Sequence, residues 1–183
     1  MVEQETFYQA RKILRESSPI LLIVSFFSLI SGSILENSSN VLEVVPILLV
    51  AVPGFMSLGG DLGGIFSARL TSAMHLGESI FWKAITSYLG ILILSTLGFG
   101  LIGIISVVIE MILGYNNGLV LFCAILTAGL LTVTLTCCSG IITAYITFQR
   151  GLDPDNFTAP ISTTIGDVSG IVLLTFIVQW LVI

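Results

Sequence analysis

Five long apolar segments alternate with short polar breaks along the chain. They run from about Pro19 to Leu35, Val44 to Ala68, Ala84 to Leu113, Leu119 to Phe148 and Pro160 to Ile183. Each is near or above the roughly 20 residues that a helix needs to cross a bilayer. The third and fourth are longer, so they are expected to tilt, kink or extend beyond the hydrocarbon. The breaks read "ENSSN", "LTSAMHLGESIFWK", "GYNNG" and "QRGLDPDNFTA", which are turn and loop compositions. The pattern predicts an all-α integral membrane bundle of five transmembrane helices, with no room for a soluble domain between the spans. The first segment follows a charged stretch without a clear small-residue cleavage site, so it reads as a span and not as a cleaved signal peptide.

Composition agrees. Hydrophobic residues make up 55% of the 183 residues and charged residues only 9%, with a mean hydropathy of +1.09. Soluble domains carry roughly 25% charged residues, so this chain cannot cover an aqueous surface. The net charge of −5 and the lack of a basic stripe argue against nucleic acid as a partner.

The basic residues set an orientation. Arg11, Lys12 and Arg15 precede the first span, Arg69 and Lys83 bracket the break between the second and third, and Arg150 follows the fourth. All six fall on one side of a five-span layout, and the other side carries Glu36, Glu43 and Glu110. The positive-inside rule then predicts a multi-pass protein of the cell membrane, with its N-terminus in the cytoplasm and its C-terminus outside. Residues 1–18 form a short cytoplasmic lead-in and residues 19–183 the transmembrane unit. Phe7, Ala10, Ile13 and Leu14 recur at helical spacing in that lead-in. It lies on the inner surface or against the bundle, or it is simply a solvated helical approach to the first span.

Two acids, Asp61 and Asp167, sit well inside predicted spans. An aspartate in hydrocarbon costs roughly 2.5–3.5 kcal/mol on insertion scales, so such residues face a cavity or a partner. Asp61 precedes Arg69 by eight residues and Asp167 follows Pro160 by seven. At ~1.5 Å per helical residue both are expected about 10–12 Å from the cytoplasmic end, on helices of opposite direction. Their surroundings match: "GGDLGG" and "TIGDVSG" each place Gly before Asp and Gly three residues after it. Gly60–Gly64 and Gly166–Gly170 are G-x-x-x-G steps, which allow close backbone approach, and Gly63 adds a further small residue beside Asp61. Glycine also frees carbonyl oxygens to turn toward a cavity. Pro160, Thr163, Thr164, Asp167 and Gly170 share one helical face, a polar stripe on an apolar helix.

Carboxylates, hydroxyls and carbonyls without His or Cys at that depth suit a hard divalent cation. Mg²⁺ sheds water reluctantly and is held by one or two carboxylates while keeping several waters. A sparse carboxylate site of Asp167 and Asp61, in a wide pore expected to be lined by Thr163, Thr164, Gly170, Gly60, Gly63 and Gly64, fits a partly hydrated Mg²⁺. The plainer alternative is that the aspartates only bond across helices.

"LDPDNFTAPISTTIGDVSGI" (Leu152 to Ile171) and "VPGFMSLGGDLGGIFSARLTSAMHLG" (Val52 to Gly77) resemble the MgtE-type magnesium transporters, most of all the branch of their animal solute-carrier relatives. The shared features are the D-P-D-N loop, a proline opening the last helix and an aspartate after glycine within it. The resemblance implies a five-helix domain that works as a symmetric homodimer. The pore is then formed by the second and fifth helices of both subunits, with Asp167 as the central ion ligand and Mg²⁺ as the transported ion, without a cofactor. Two departures stand out. Bacterial members carry a cytoplasmic gating region, whereas this chain has only a short segment before Pro19, so that gating is expected to be absent. The family usually shows Asn where this chain has Asp61, which puts strict Mg²⁺ specificity in doubt. The animal relatives hold two such units in tandem, so a single unit implies that two chains associate.

Within transport, a channel and a Na⁺- or H⁺-coupled exchanger both remain open. An intramembrane aspartyl protease would also use paired aspartates, but Leu58-Gly59-Gly60-Asp61 and Thr164-Ile165-Gly166-Asp167 both lack its G-x-G-D motif. Asp153 and Asp155 flank Pro154 beside the inner mouth, to attract cations or to form the turn. Cys123, Cys137 and Cys138 lack metal spacing and read as packing residues. His75 reads as surface, and Trp82 and Trp180 as interfacial aromatics contacting lipid.

Overall fold

A computed structural model describes the backbone of residues 2–115 and 117–182, and their side chains except those of 2–13, 16, 39, 40 and 182. The apolar face expected on Phe7, Ala10 and Ile13 lies outside those described side chains, as do Arg11 and Lys12. Six helices follow in order: α1 Val2–Asn37, α2 Ser39–Val44, α3 Leu48–His75, α4 Ile80–Leu113, α5 Gly118–Gln149 and α6 Asp155–Val182. No strand occurs among the described residues. α2 is a single short turn, and the other five are each long and apolar enough to cross a membrane. They correspond to the five expected spans.

The helices outrun the apolar segments that predicted them. The second span was expected to stop near Ala68, yet α3 continues to His75. The last was expected to open at Pro160, yet α6 begins at Asp155. Hydropathy marks where lipid ends, whereas the C-terminal ends of these helices are set by glycine. Gly77, Gly114 and Gly151 follow α3, α4 and α5 with φ of 67°, 82° and 69°. In each case the next residue's N–H reaches back to close the helix: Glu78 to Ala73 O at 2.9 Å, Tyr115 to Glu110 O at 3.0 Å and Leu152 to Thr147 O at 3.1 Å. Only a residue without a Cβ adopts that left-handed turn at low cost.

A small-residue seam holds α3, α5 and α6 together. On α3 it runs through Gly59, Gly63, Ser67 and Thr71, on α5 through Thr132, Thr136 and Gly140, and on α6 through Thr158, Ser162, Gly166 and Gly170, all buried. The four-residue spacing keeps each set on one face. In lipid, apolar burial offers little drive to associate, so close van der Waals fit carries the packing. A methyl on Gly63 would lie 2.8 Å from Thr136 Cβ. Around the seam, Phe55 and Phe99 stack with ring centroids 4.8 Å apart, and Tyr88 and Thr134 join α4 to α5 through hydroxyls 3.0 Å apart. Leu94, Leu97 and Leu101 of α4 point outward, as expected of a lipid-facing helix. α1 packs chiefly on α6.

Candidate ion-binding site

Both intramembrane acids sit near the midpoint of a 28-residue helix, Asp61 on α3 and Asp167 on α6. The expected 10–12 Å was counted from Arg69 and Pro160, and both of these lie inside the helices rather than at their ends. The helices extend further into the connecting loops than hydropathy indicated, so the helix ends lie farther from the acids than the ends of the apolar segments do.

α3 and α6 run antiparallel and cross where the two Gly-Asp pairs meet. A methyl on Gly166 would fall 3.1 Å from Gly60 N, and one on Gly60 would fall 3.1 Å from Thr163 Cγ2. Ser67 and Ser162 share a buried hydrogen bond of 3.0 Å toward one end. Toward the other end, Phe55 lies over Gly170. Gly60, Gly63 and Gly170 are therefore buried between helices of one protomer, whereas Gly64 has nothing within 4 Å of where its Cβ would be. The packing step on α3 uses Gly59, Gly60 and Gly63 and leaves out Gly64, the second glycine of the G-x-x-x-G step read from the sequence.

Asp167 is part-buried and opens into a groove of about 500 Å³ between α1 and α6. Pro160, Thr163, Thr164 and Asp167 line its α6 side, and Ser25 and Ser28 stand among apolar side chains on the α1 side. Thr164 donates its hydroxyl to Pro160 O at 2.8 Å, which leaves its oxygen lone pairs free. Ser31, 1% exposed, donates to the backbone carbonyl of Asp167 at 3.4 Å. Asp61 is exposed and accepts a 3.4 Å hydrogen bond from Ser57 one turn earlier on the same helix. It does not line the Asp167 groove. Thr163 links the two positions, because it lies against Gly60 and also lines the groove.

The described residues hold no group of three or more His, Cys, Asp or Glu side chains that could grip a bare ion. One carboxylate amid hydroxyls instead suits a cation that keeps most of its water. The serines of α1 were missed in the sequence. Their signal was there, since Ser25, Ser28 and Ser31 recur every three residues in an apolar stretch.

At one end of the bundle, the α3–α4 and α5–α6 connections meet. His75 Nε2 lies 3.9 Å from Asp153 Oδ1, and its ring sits edge-on to Phe148. Asp153 Oδ1 also accepts the Asp155 N–H at 3.2 Å, so it shapes the turn into α6. Asp155 stands in the first turn of α6, where a negative charge suits the helix dipole. Glu110, expected in a loop, is instead buried near the end of α4 at 3% exposure, beside Gly118 at the start of α5. Of the cysteines, Cys137 is buried and Cys123 and Cys138 are exposed.

Residues 52–177 match the MgtE family, described as divalent cation transporter. The chain belongs to this family. MgtE proteins are transporters and not enzymes, which removes the protease alternative, and the five apolar helices make the chain a multi-pass membrane protein. It is also similar to Solute carrier family 41 member 2 of Homo sapiens, 26% identical over 194 residues that cover 93% of this chain and 33% of that protein. The Mus musculus protein of the same name is 25% identical, with 94% and 33% covered. The Gallus gallus one is 26% identical, with 93% and 33% covered. The chain thus spans about a third of the length of these curated relatives. The MgtE match begins at Val52 and so leaves α1 outside it.

Proposed function

We propose that this MgtE-family chain carries divalent cations, Mg²⁺ foremost, across a membrane, and that Asp167 is the carboxylate that binds the ion. The observation that carries this reading is the placement of Asp167. It lies mid-helix and part-buried, and it opens into a groove edged by hydroxyls. A carboxylate at that depth offsets the cost of bringing a doubly charged ion into the membrane. The groove is open on one side, so a second copy of the chain closes the path, with α3 and α6 of both copies around it. Asp61 stands at the same level and adds a second carboxylate per chain. Gly64 and Thr163 leave space beside the acids, while Gly60, Gly63 and Gly170 set the helix spacing that holds them. Asp153 and Asp155 stand near one mouth. The basic residues at that end support a cytoplasmic position for it and for the N-terminus.

The test is flux. The purified protein in proteoliposomes loaded with a Mg²⁺ indicator should pass Mg²⁺ down its gradient. Asp167→Asn, nearly unchanged in shape, should slow this at least about tenfold, the equivalent of roughly 1.4 kcal/mol in the barrier. Transport by Asp167→Asn at the parental rate would overturn the site. Flux that requires an opposing Na⁺ or pH gradient would identify an exchanger, and flux indifferent to both a channel.

A further inference from the structure

We infer that α1 is a third wall of the ion path, and that the Ser28 hydroxyl faces the hydration shell of a divalent cation held at Asp167. This rests on the reading of Asp167 as the ion-binding carboxylate, and it adds a helix outside the stretch that matches the family.

Three observations carry it. First, α1 is fastened to α6 at the acid itself. Ser31 is buried, and its hydroxyl reaches the Asp167 carbonyl at 3.4 Å. A hydroxyl spent on that carbonyl fixes the register of the two helices at this level. Second, the register places the other serines. α1 and α6, the first and fifth spans, run parallel, so one turn back from Ser31 and Asp167 sets Ser28 level with Thr163 and Thr164. A further turn sets Ser25 level with Pro160. All of these side chains line the one groove that contains Asp167. Third, the hydroxyls are available. Ser25 donates to Leu21 O at 2.7 Å and Thr164 to Pro160 O at 2.8 Å, so both present lone pairs. Ser28 and Thr163 have no hydrogen-bond partner among the described residues, on opposite walls of the groove.

An ion leaving Asp167 toward the Asp155 end of α6 therefore passes between hydroxyls on both sides. Their oxygens accept hydrogen bonds from the water that a small divalent cation retains. Recognition of that kind acts through the hydration shell and needs no further carboxylate. It also accounts for polar groups on a helix that elsewhere exposes large apolar residues such as Leu22 and Phe26.

Two measurements test this. Ser28→Cys, in a chain with Cys123→Ser and Cys138→Ser, is treated with a charged methanethiosulfonate reagent in membranes, with Leu22→Cys as the lipid-facing control. Ser28→Cys should label, Mg²⁺ should slow the labelling, and Leu22→Cys should stay unlabelled. This needs no transport, so it stands apart from the flux test of Asp167. No labelling of Ser28→Cys, or labelling indifferent to Mg²⁺, overturns the inference. In flux, Ser28→Ala should raise the Mg²⁺ concentration for half-maximal rate by about threefold to tenfold, the range expected for one lost hydrogen bond between neutral groups, here a hydroxyl and a water of the hydration shell. Parental half-saturation in Ser28→Ala, alongside the predicted loss in Asp167→Asn, would remove α1 from the path and leave Asp167 in place.

Discussion

Gly60 and Gly166 bring the backbones of α3 and α6 into contact, so that a methyl on Gly166 would lie 3.1 Å from the Gly60 nitrogen. Each glycine directly precedes an intramembrane aspartate, and the crossing thereby fixes Asp61 and Asp167 at one level. Backbone cannot step aside as a flexible side chain can. Gly166→Ala should therefore destabilise the protein by about 1–3 kcal/mol, the usual range for overpacking. Gly64→Ala, which meets nothing within 4 Å, should be neutral or stabilising by up to about 1 kcal/mol through helix propensity. Thermal unfolding of both variants in detergent separates the cases. Equal midpoints would mean that the crossing tolerates a wider spacing.

The hydrogen bond between Ser67 and Ser162 is the polar tie of the same crossing, with both residues fully buried. Each single change to Ala leaves a hydroxyl without its partner, whereas the double change removes both. A double-mutant cycle in unfolding free energy should give a coupling of about 0.5–1.5 kcal/mol, as for interhelical hydrogen bonds in membranes. Coupling within error of zero would show that the two helices hold by shape alone at this point.

The division between what was legible in the sequence and what was not follows physical lines. Five spans and the paired acids were legible because a bilayer demands long apolar runs and makes any charge within them conspicuous. Helix ends were less so. "LTSAMH" and "DNFTA" have loop-like compositions but continue as helix, because Gly77 sets the stop of α3 and the Asp153–Asp155 turn sets the start of α6. The rotation of each helix was not legible at all. Gly59, Gly60 and Gly63 pack while Gly64 does not, and only the positions of α5 and α6 decide that. Ser28 and Ser31 look alike in the sequence, yet one lines the groove and the other is buried against Asp167. Glu110 was grouped with Glu36 and Glu43 on the side opposite the basic residues, but its burial near the end of α4 was not legible.

The proposed second copy predicts a crosslink. Thr163 is exposed, lines the Asp167 groove and lies beside Gly60. With Cys123 and Cys138 replaced by serine and Cys137 left buried, Thr163→Cys should form an intermolecular bond with a short bifunctional reagent in membranes. A cysteine at Leu97, exposed on the outer face of α4, should not. A monomer on the gel from Thr163→Cys, together with transport by protein shown to be monomeric, would refute the two-copy path.

Asp61 gives the last prediction. It is exposed on α3 and bonded to Ser57 of its own helix. Two copies would bring two Asp61 and two Asp167 carboxylates to one level. Carboxylates around a cation compete for it with protons, so metal binding releases protons and weakens as pH falls. Asp61→Asn keeps the shape and removes one negative charge per chain. Divalent affinity should fall by roughly threefold to tenfold, about 0.7–1.4 kcal/mol, and its pH dependence should flatten. Transport should persist, because Asp167 remains. Calorimetry in two buffers of different ionisation enthalpy counts the protons released per metal bound, and that count should drop in Asp61→Asn. An unchanged count with unchanged affinity would mean that Asp61 faces away from the path, and that the Gly60–Gly166 crossing sets its level without giving it a part in binding the ion.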